Sequence, residues 1–150
     1  MFTKNILFLS ILLTVVSCSS ELKKGSENIM HDFDKLWDYN KPAETEQKFR
    51  EILGQSKRRD NSEYELELKT QIARALGLQQ KYDESHALLD QVEIALKPKY
   101  QLARIRYLLE RGRTFNSSGK KELSIPVFLE AWELGLEAKA DFFAVDAAHM

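Results

Sequence analysis

Residues 70–96, TQIARALGLQQKYDESHALLDQVEIAL, read as two amphipathic helices joined by a short polar turn. Ile72, Ala75 and Leu76, with Leu68 one turn earlier, fall three and four apart and share one helical face. Ser62 followed by Glu65 matches a capping box, so this helix is expected from Ser62 to about Gln80. Lys81-Tyr82-Asp83 turns the chain. Leu88, Leu89, Val92 and Leu96 give the next helix, roughly Asp83 to Leu96, its own apolar face, and Pro98 stops it.

The second of these helices carries a spacing that recurs. Ser85, Leu89 and Val92 are a small residue, a large apolar one four positions on and an apolar one seven on; Thr45, Phe49, Ile52 and Ser124, Phe128, Ala131 repeat it. The anchors lie 40 and 39 residues apart. Upstream of each stand Phe33 with Leu36, Ala73 with Leu76, and Gly112 with Phe115. Self-similarity at a fixed period is the signature of a repeat array, here one helix pair per unit.

The remaining helices follow from the same pattern. The first is expected from about Asn28 to Tyr39, with Ile29, Phe33 and Leu36 on one face, broken by Asn40-Lys41-Pro42. Pro42 suits the first turn of the second, which carries Phe49, Ile52 and Leu53 and ends at Gly54 before a polar loop at 55–61. Pro98 is expected to open the fifth, with Leu102, Ile105, Leu108, Leu109 and Phe115, closed by Ser117-Ser118-Gly119. The sixth is expected near Ser124, with Pro126 in its first turn and Gly135 at its end. A last helix from about Asp141 holds Phe142, Phe143, Val145 and Ala148 without a polar outer face; the array is expected to continue beyond Met150, the alternative being an apolar face left for a partner.

The 150 residues are 43% hydrophobic and 30% charged, the composition of a core-forming chain. The 22 basic and 23 acidic residues nearly cancel, so no global field favours nucleic acid, and no nucleic-acid partner is expected. The N-terminus differs: Lys4 precedes an apolar run, Ile6 to Val16, too short for the roughly 20 residues a membrane helix needs. Residues 1–17 therefore read as a secretory signal. Val15-Val16-Ser17-Cys18 resembles a bacterial lipoprotein lipobox, and Cys18 is the only cysteine, which excludes an intrachain disulfide. The resemblance implies lipidation at Cys18, a polar tether at 18–27 and a folded domain at 28–150. Ser19 after the cysteine points to the outer membrane, with the domain facing the periplasm.

At Ala73, Leu76, Tyr82, Asp83, Glu84, Ser85, Leu89 and Val92 the chain resembles a tetratricopeptide repeat (TPR), and Gly112, Phe115, Gly119, Ser124, Phe128 and Ala131 fill the same slots one unit later. Phe33 stands where the family has a small residue, Arg111 where it has an apolar one, and the period exceeds the family's. The resemblance spans residues 28–150 and implies an all-α fold, antiparallel helix pairs stacked as a solenoid of about three units plus an unpaired last helix. It also implies that the first helices line a concave groove, into which Asp34, Arg74 and Arg113 point. Arg106, two turns before Arg113, and Asn116, three residues after it, share that stripe. Arg74, Arg106, Arg113 and Asn116 are the candidate site, suited to carboxylates of a protein or peptide partner, since guanidinium groups grip them bidentately.

Chemistry of other kinds lacks a pattern. His31, His86 and His149 show no metal-ligand spacing, and there is no phosphate loop or nucleophile elbow. No metal, cofactor or catalytic residue is expected, and the chain is not expected to be an enzyme. Asp83-Glu84 and Glu63, Glu65 and Glu67 read as charge favourable to helix N-termini. A protein-interaction module held at a membrane follows. A glycan-binding lipoprotein is the alternative, for which Trp37 and Trp132 alone make no platform; an enzyme with its catalytic domain beyond Met150 is another.

Overall fold

A computed structural model describes residues 31–56 and 62–150. A 3-10 turn at Asp32–Leu36 is followed by six helices: α1 Pro42–Ser56, α2 Ser62–Leu78, α3 Tyr82–Ala95, α4 Gln101–Ser117, α5 Lys121–Glu137 and α6 Asp141–Ala148. The fold is all-α, with no strand among the described residues. Each helix packs on the next, α2 also packs on α4, and α4 on α6. Helices α2, α4 and α6 thus make one layer. Helices α3 and α5 lie across its seams, α1 packs on α2, and the stack is solenoid-like.

The recurring residues occupy equivalent buried sites. Thr45, Ser85 and Ser124 are buried on α1, α3 and α5, as are Phe49, Leu89 and Phe128 one turn later. Val92 and Ala131 are buried too, whereas Ile52 is only half-buried. The anchors are small because neighbouring helices come close. The Ser85 hydroxyl donates to the Ala73 carbonyl at 2.9 Å and meets the Thr114 hydroxyl at 2.9 Å. Gly112 answers the same demand from the first helix of its pair: a Cβ there would stand 2.6 Å from the Phe128 ring. Around these contacts lie two apolar clusters, Phe33, Phe49, Leu68, Ile72 and Leu76 in one and Leu89, Val92, Ile105, Leu109 and Phe128 in the other, with Leu88 packed against both.

Three turns share one geometry. Gln80, Gly119 and Lys139 have φ of 60°, 81° and 54°, the left-handed region. In each the following N–H bonds back to a carbonyl five residues earlier: Lys81 to Leu76, Lys120 to Phe115, Ala140 to Gly135. These are Schellman ends, which satisfy the last carbonyls of one helix and launch the next. Gly119 has no Cβ to strain there, while Gln80 and Lys139 do.

The structure corrects several boundaries. Among the described residues the expected helix through Tyr39 is only the five-residue 3-10 turn, because Trp37 is extended (φ −63°, ψ 127°) and side chains hold the next stretch. The Asp38 carboxylate accepts the Asn40 N–H at 3.0 Å, and the Thr45 hydroxyl bonds the Asp38 backbone. Such local bonds compete with helix. Leu36 is consequently exposed rather than packed. Asn28 and Ile29 lie outside the described residues, as do residues 1–27 with Cys18. Helix α1 runs on to Ser56, whose hydroxyl donates to the Leu53 carbonyl at 2.9 Å. Pro98 opens no helix. It follows Lys97 in a turn closed by the Tyr100 N–H on the Lys97 carbonyl at 2.9 Å, the position where a fixed φ suits proline. Helix α5 begins at Lys121, so Pro126 lies inside it rather than in its first turn. Pro126 and Glu122, whose carbonyl proline leaves without a donor, are both exposed residues. Gly135 does not end α5; it is buried where a Cβ would come within 3.0 Å of Ala144 on α6.

Candidate binding cleft

The layer of α2, α4 and α6, called inner for the cleft it carries, places polar side chains along an open cleft of about 640 Å³. Gln71 and Arg74 on α2, Arg106 and Glu110 on α4, and Phe142 and Asp146 on α6 line it, with Asp34, Trp37 and Tyr39 at one end. A helix turn separates the members on each element, so the periodicity that buries Ile72 and Leu76 also turns Arg74 toward the cleft.

Arg106 is the floor of this cleft, almost fully buried. Its Nη1 and Nη2 donate to the two oxygens of Asp34 at 2.9 and 2.6 Å, and its Nε lies 2.9 Å from Glu67 Oε2. His31 Nε2 stands 3.0 Å from the same Glu67 oxygen. The guanidinium also faces the rings of Phe33 and Phe143, at 5.6 and 4.8 Å. A charge this deep is stable only when paired in this way.

Arg113 and Arg74 converge on Glu110, itself buried. Arg113 Nη1 donates to Glu110 Oε1 at 2.7 Å and Arg74 Nη1 to the same oxygen at 3.4 Å. Arg113 Nη2 holds the Asp146 carboxylate. Burial alone would lower the Arg113 pKa, but Glu110 and Asp146 raise it above its ordinary value, so its charge is secure. Arg74 is the loosest of the three, its side chain 24% exposed against 3% for Arg106 and 14% for Arg113. Its guanidinium lies 5.6 Å from the Trp37 ring and 5.2 Å from that of Tyr39. Those rings stack at 5.0 Å, and Trp37 Nε1 donates to Gln71 Oε1 at 3.1 Å.

The structure therefore brings Arg74 and Arg106 to one cleft, with Arg113 in an adjoining hollow that shares Arg74 and Glu110. Asn116 is half-buried near the end of α4 and is not part of either wall. The three arginines meet four carboxylates, Asp34, Glu67, Glu110 and Asp146, so they do not form a bare positive stripe. Sequence reasoning missed Glu110, although it lies four residues after Arg106 and three before Arg113, the spacing of helix ion pairs. No local signal joins Arg106 to Asp34, which are 72 residues apart. The two tryptophans lie on different surfaces, Trp37 at the cleft and Trp132 against α6.

Among the described residues no group of three His, Cys, Asp or Glu is placed to hold a metal ion, and no helix is long and apolar enough to cross a membrane. Comparison of the chain with family models, curated protein sequences and solved structures gives no match.

Proposed function

We propose that this chain is a TPR-like protein-interaction module, lipid-anchored through Cys18 in the bacterial envelope, which binds an extended peptide segment in the inner-layer cleft. The observation that carries this reading is Arg74: it is the least committed of the three arginines, set beside an aromatic pair at the mouth of a cleft of about 640 Å³. A carboxylate on the ligand competes with Glu110 for Arg74 only across 3.4 Å, while Arg106 and Arg113 keep their partners and hold the cleft open. Apolar ligand side chains find Phe142 and Trp37. Display rather than catalysis is the mechanism, and confinement at a membrane raises local concentration so that modest affinity suffices.

Crosslinking of the full chain in native membranes, with identification of captured proteins, tests this. Arg74→Glu should reduce capture, and unchanged capture would remove the cleft from the mechanism. The anchor has a separate test: without acyl labelling at Cys18 and without globomycin-sensitive processing, the membrane tether falls.

A further inference from the structure

Glu110 stands where the cleft meets its adjoining hollow, and its carboxylate is unevenly satisfied. Both guanidinium contacts, from Arg113 at 2.7 Å and Arg74 at 3.4 Å, fall on Oε1. Oε2 is buried and accepts no hydrogen bond among the described residues. A carboxylate offers about four acceptor sites, two on each oxygen. A side chain only 2% exposed therefore keeps half of its acceptor capacity without a donor, a costly state for a buried charge.

The charge around it runs the same way. Asp34, Glu67, Glu110 and Asp146 already match Arg74, Arg106 and Arg113. Asp141, at the start of α6, adds a fifth carboxylate to the cleft, exposed and without an ion pair among the described residues. No lysine among those residues lines the cleft or the hollow, and the exposed Lys139 lies in the turn before α6, outside both. With His149 neutral, five carboxylates face three guanidinium groups. A purely acidic ligand adds to that excess, and by drawing Arg74 away it leaves Glu110 with Arg113 alone. The binding surface itself is complete, since α4 forms the floor between α2 on one side and α6 on the other.

On the peptide-binding reading of this cleft, we infer that the bound segment carries an acidic and a basic side chain two residues apart, and that binding exchanges one ion pair for two. The ligand carboxylate takes Arg74, and the ligand's Lys or Arg takes the place of Arg74 at Glu110. Arg74 has the Trp37 and Tyr39 rings to lie on once it leaves Glu110. Alternate side chains of an extended segment share a face about 7 Å apart, whereas adjacent ones point to opposite sides, so a spacing of two presents both charges to the cleft. The methylene stem of the basic side chain finds Phe142 and Val145, both exposed at the wall, and Asp141 attracts its charge.

Four capped peptides test this against the full chain carrying Trp132→Phe, which leaves Trp37 as the remaining indole. They are Leu-Glu-Val-Lys-Leu and its versions with Gln in place of Glu, of Lys, or of both, and Trp37 emission reports their binding. The Glu/Lys peptide should bind about tenfold more tightly than the Glu/Gln peptide. The two charges together should contribute more than the product of their separate gains. Arg74→Gln should erase the gain from Glu and keep the gain from Lys. Equal affinity of the Glu/Gln and Glu/Lys peptides, or tighter binding of the former, overturns the proposal and leaves a plain carboxylate site at Arg74. No response to any of the four overturns the peptide cleft itself, and the exchange with it.

Discussion

The first unit and the two that follow solve one packing problem in different ways. In the later units the slot holds a small residue: at Gly112 the Phe128 ring of the partner helix fills the gap, and at Ala73 the Ser85 hydroxyl of the partner helix reaches the backbone carbonyl. In the first unit the slot holds Phe33, and a 3-10 turn replaces the helix. Phe33 is buried against Phe49, Tyr64 and His31, with ring centroids at 6.0, 5.2 and 4.9 Å. An aromatic plug does there what a helix backbone does elsewhere. The comparison teaches that the period lives in the second helix of each pair, where Thr45, Ser85 and Ser124 are all buried.

The plug is the place to break this comparison hardest. Phe33→Ala makes the slot chemically like that of Ala73, yet no helix backbone is there to fill the space, so it should cost about 3–5 kcal/mol in a denaturant titration. A loss below about 1 kcal/mol would mean that the first unit packs like the second. Gly112→Ala probes the opposite limit. Its Cβ would stand 2.6–2.8 Å from Phe128 ring atoms, so overpacking should cost about 1–3 kcal/mol despite alanine's better helix propensity. Phe128→Leu in the same chain should recover part of that loss.

Acid separates the units next, through the residue after each anchor: Glu46, His86 and Ile125. Burial and the neighbouring Arg111 push the His86 pKa below its usual 6.5, so the folded chain prefers it neutral. The unfolded chain takes up the proton first, and stability should fall as pH drops below about 6.5. His86→Gln should flatten that slope. Burial would raise the Glu46 pKa, but hydrogen bonds from Gln79 and Arg50 outweigh it and hold it below 4.5. Its contribution is present above that value and lost as pH falls through the lowered pKa, so Glu46→Gln should alter only the more acidic part of an acid-unfolding curve. Ile125 contributes nothing that titrates.

The smallest effects belong to the turns. Lys139→Gly and Gln80→Gly relieve a left-handed backbone and should each stabilise by up to about 1 kcal/mol, whereas Gly119→Ala should destabilise by about as much. Thermal melts resolve differences of that size in a chain this short.

Much of this fold was legible in the residues. Leu89, Val92, Phe128 and Ala131 are buried because helical spacing puts apolar side chains on one face whatever that face meets, and the helix pairs around them could be read directly. Boundaries were harder where the signal was ambiguous: Pro98 and Pro126 each fit a helix start, and only the turn at Tyr100 and the early beginning of α5 decided between options. The cleft was half legible. Arg74 lies on α2 and Arg106 and Arg113 on α4, at the cleft and its adjoining hollow, but their carboxylate partners did not follow from the pattern that placed them on those helices.

By itself the sequence determined the helical period and the small anchors, because both depend on side-chain spacing within one element. Tertiary structure alone decided that the arginines are neutralised. Arg106 meets Asp34 across 72 residues, and a buried charge takes whichever partner the packing of distant helices delivers. It alone decided, too, that Arg111 on α4 meets His86 and Asp90 of α3, since the packing of two neighbouring helices sets which side chains come face to face.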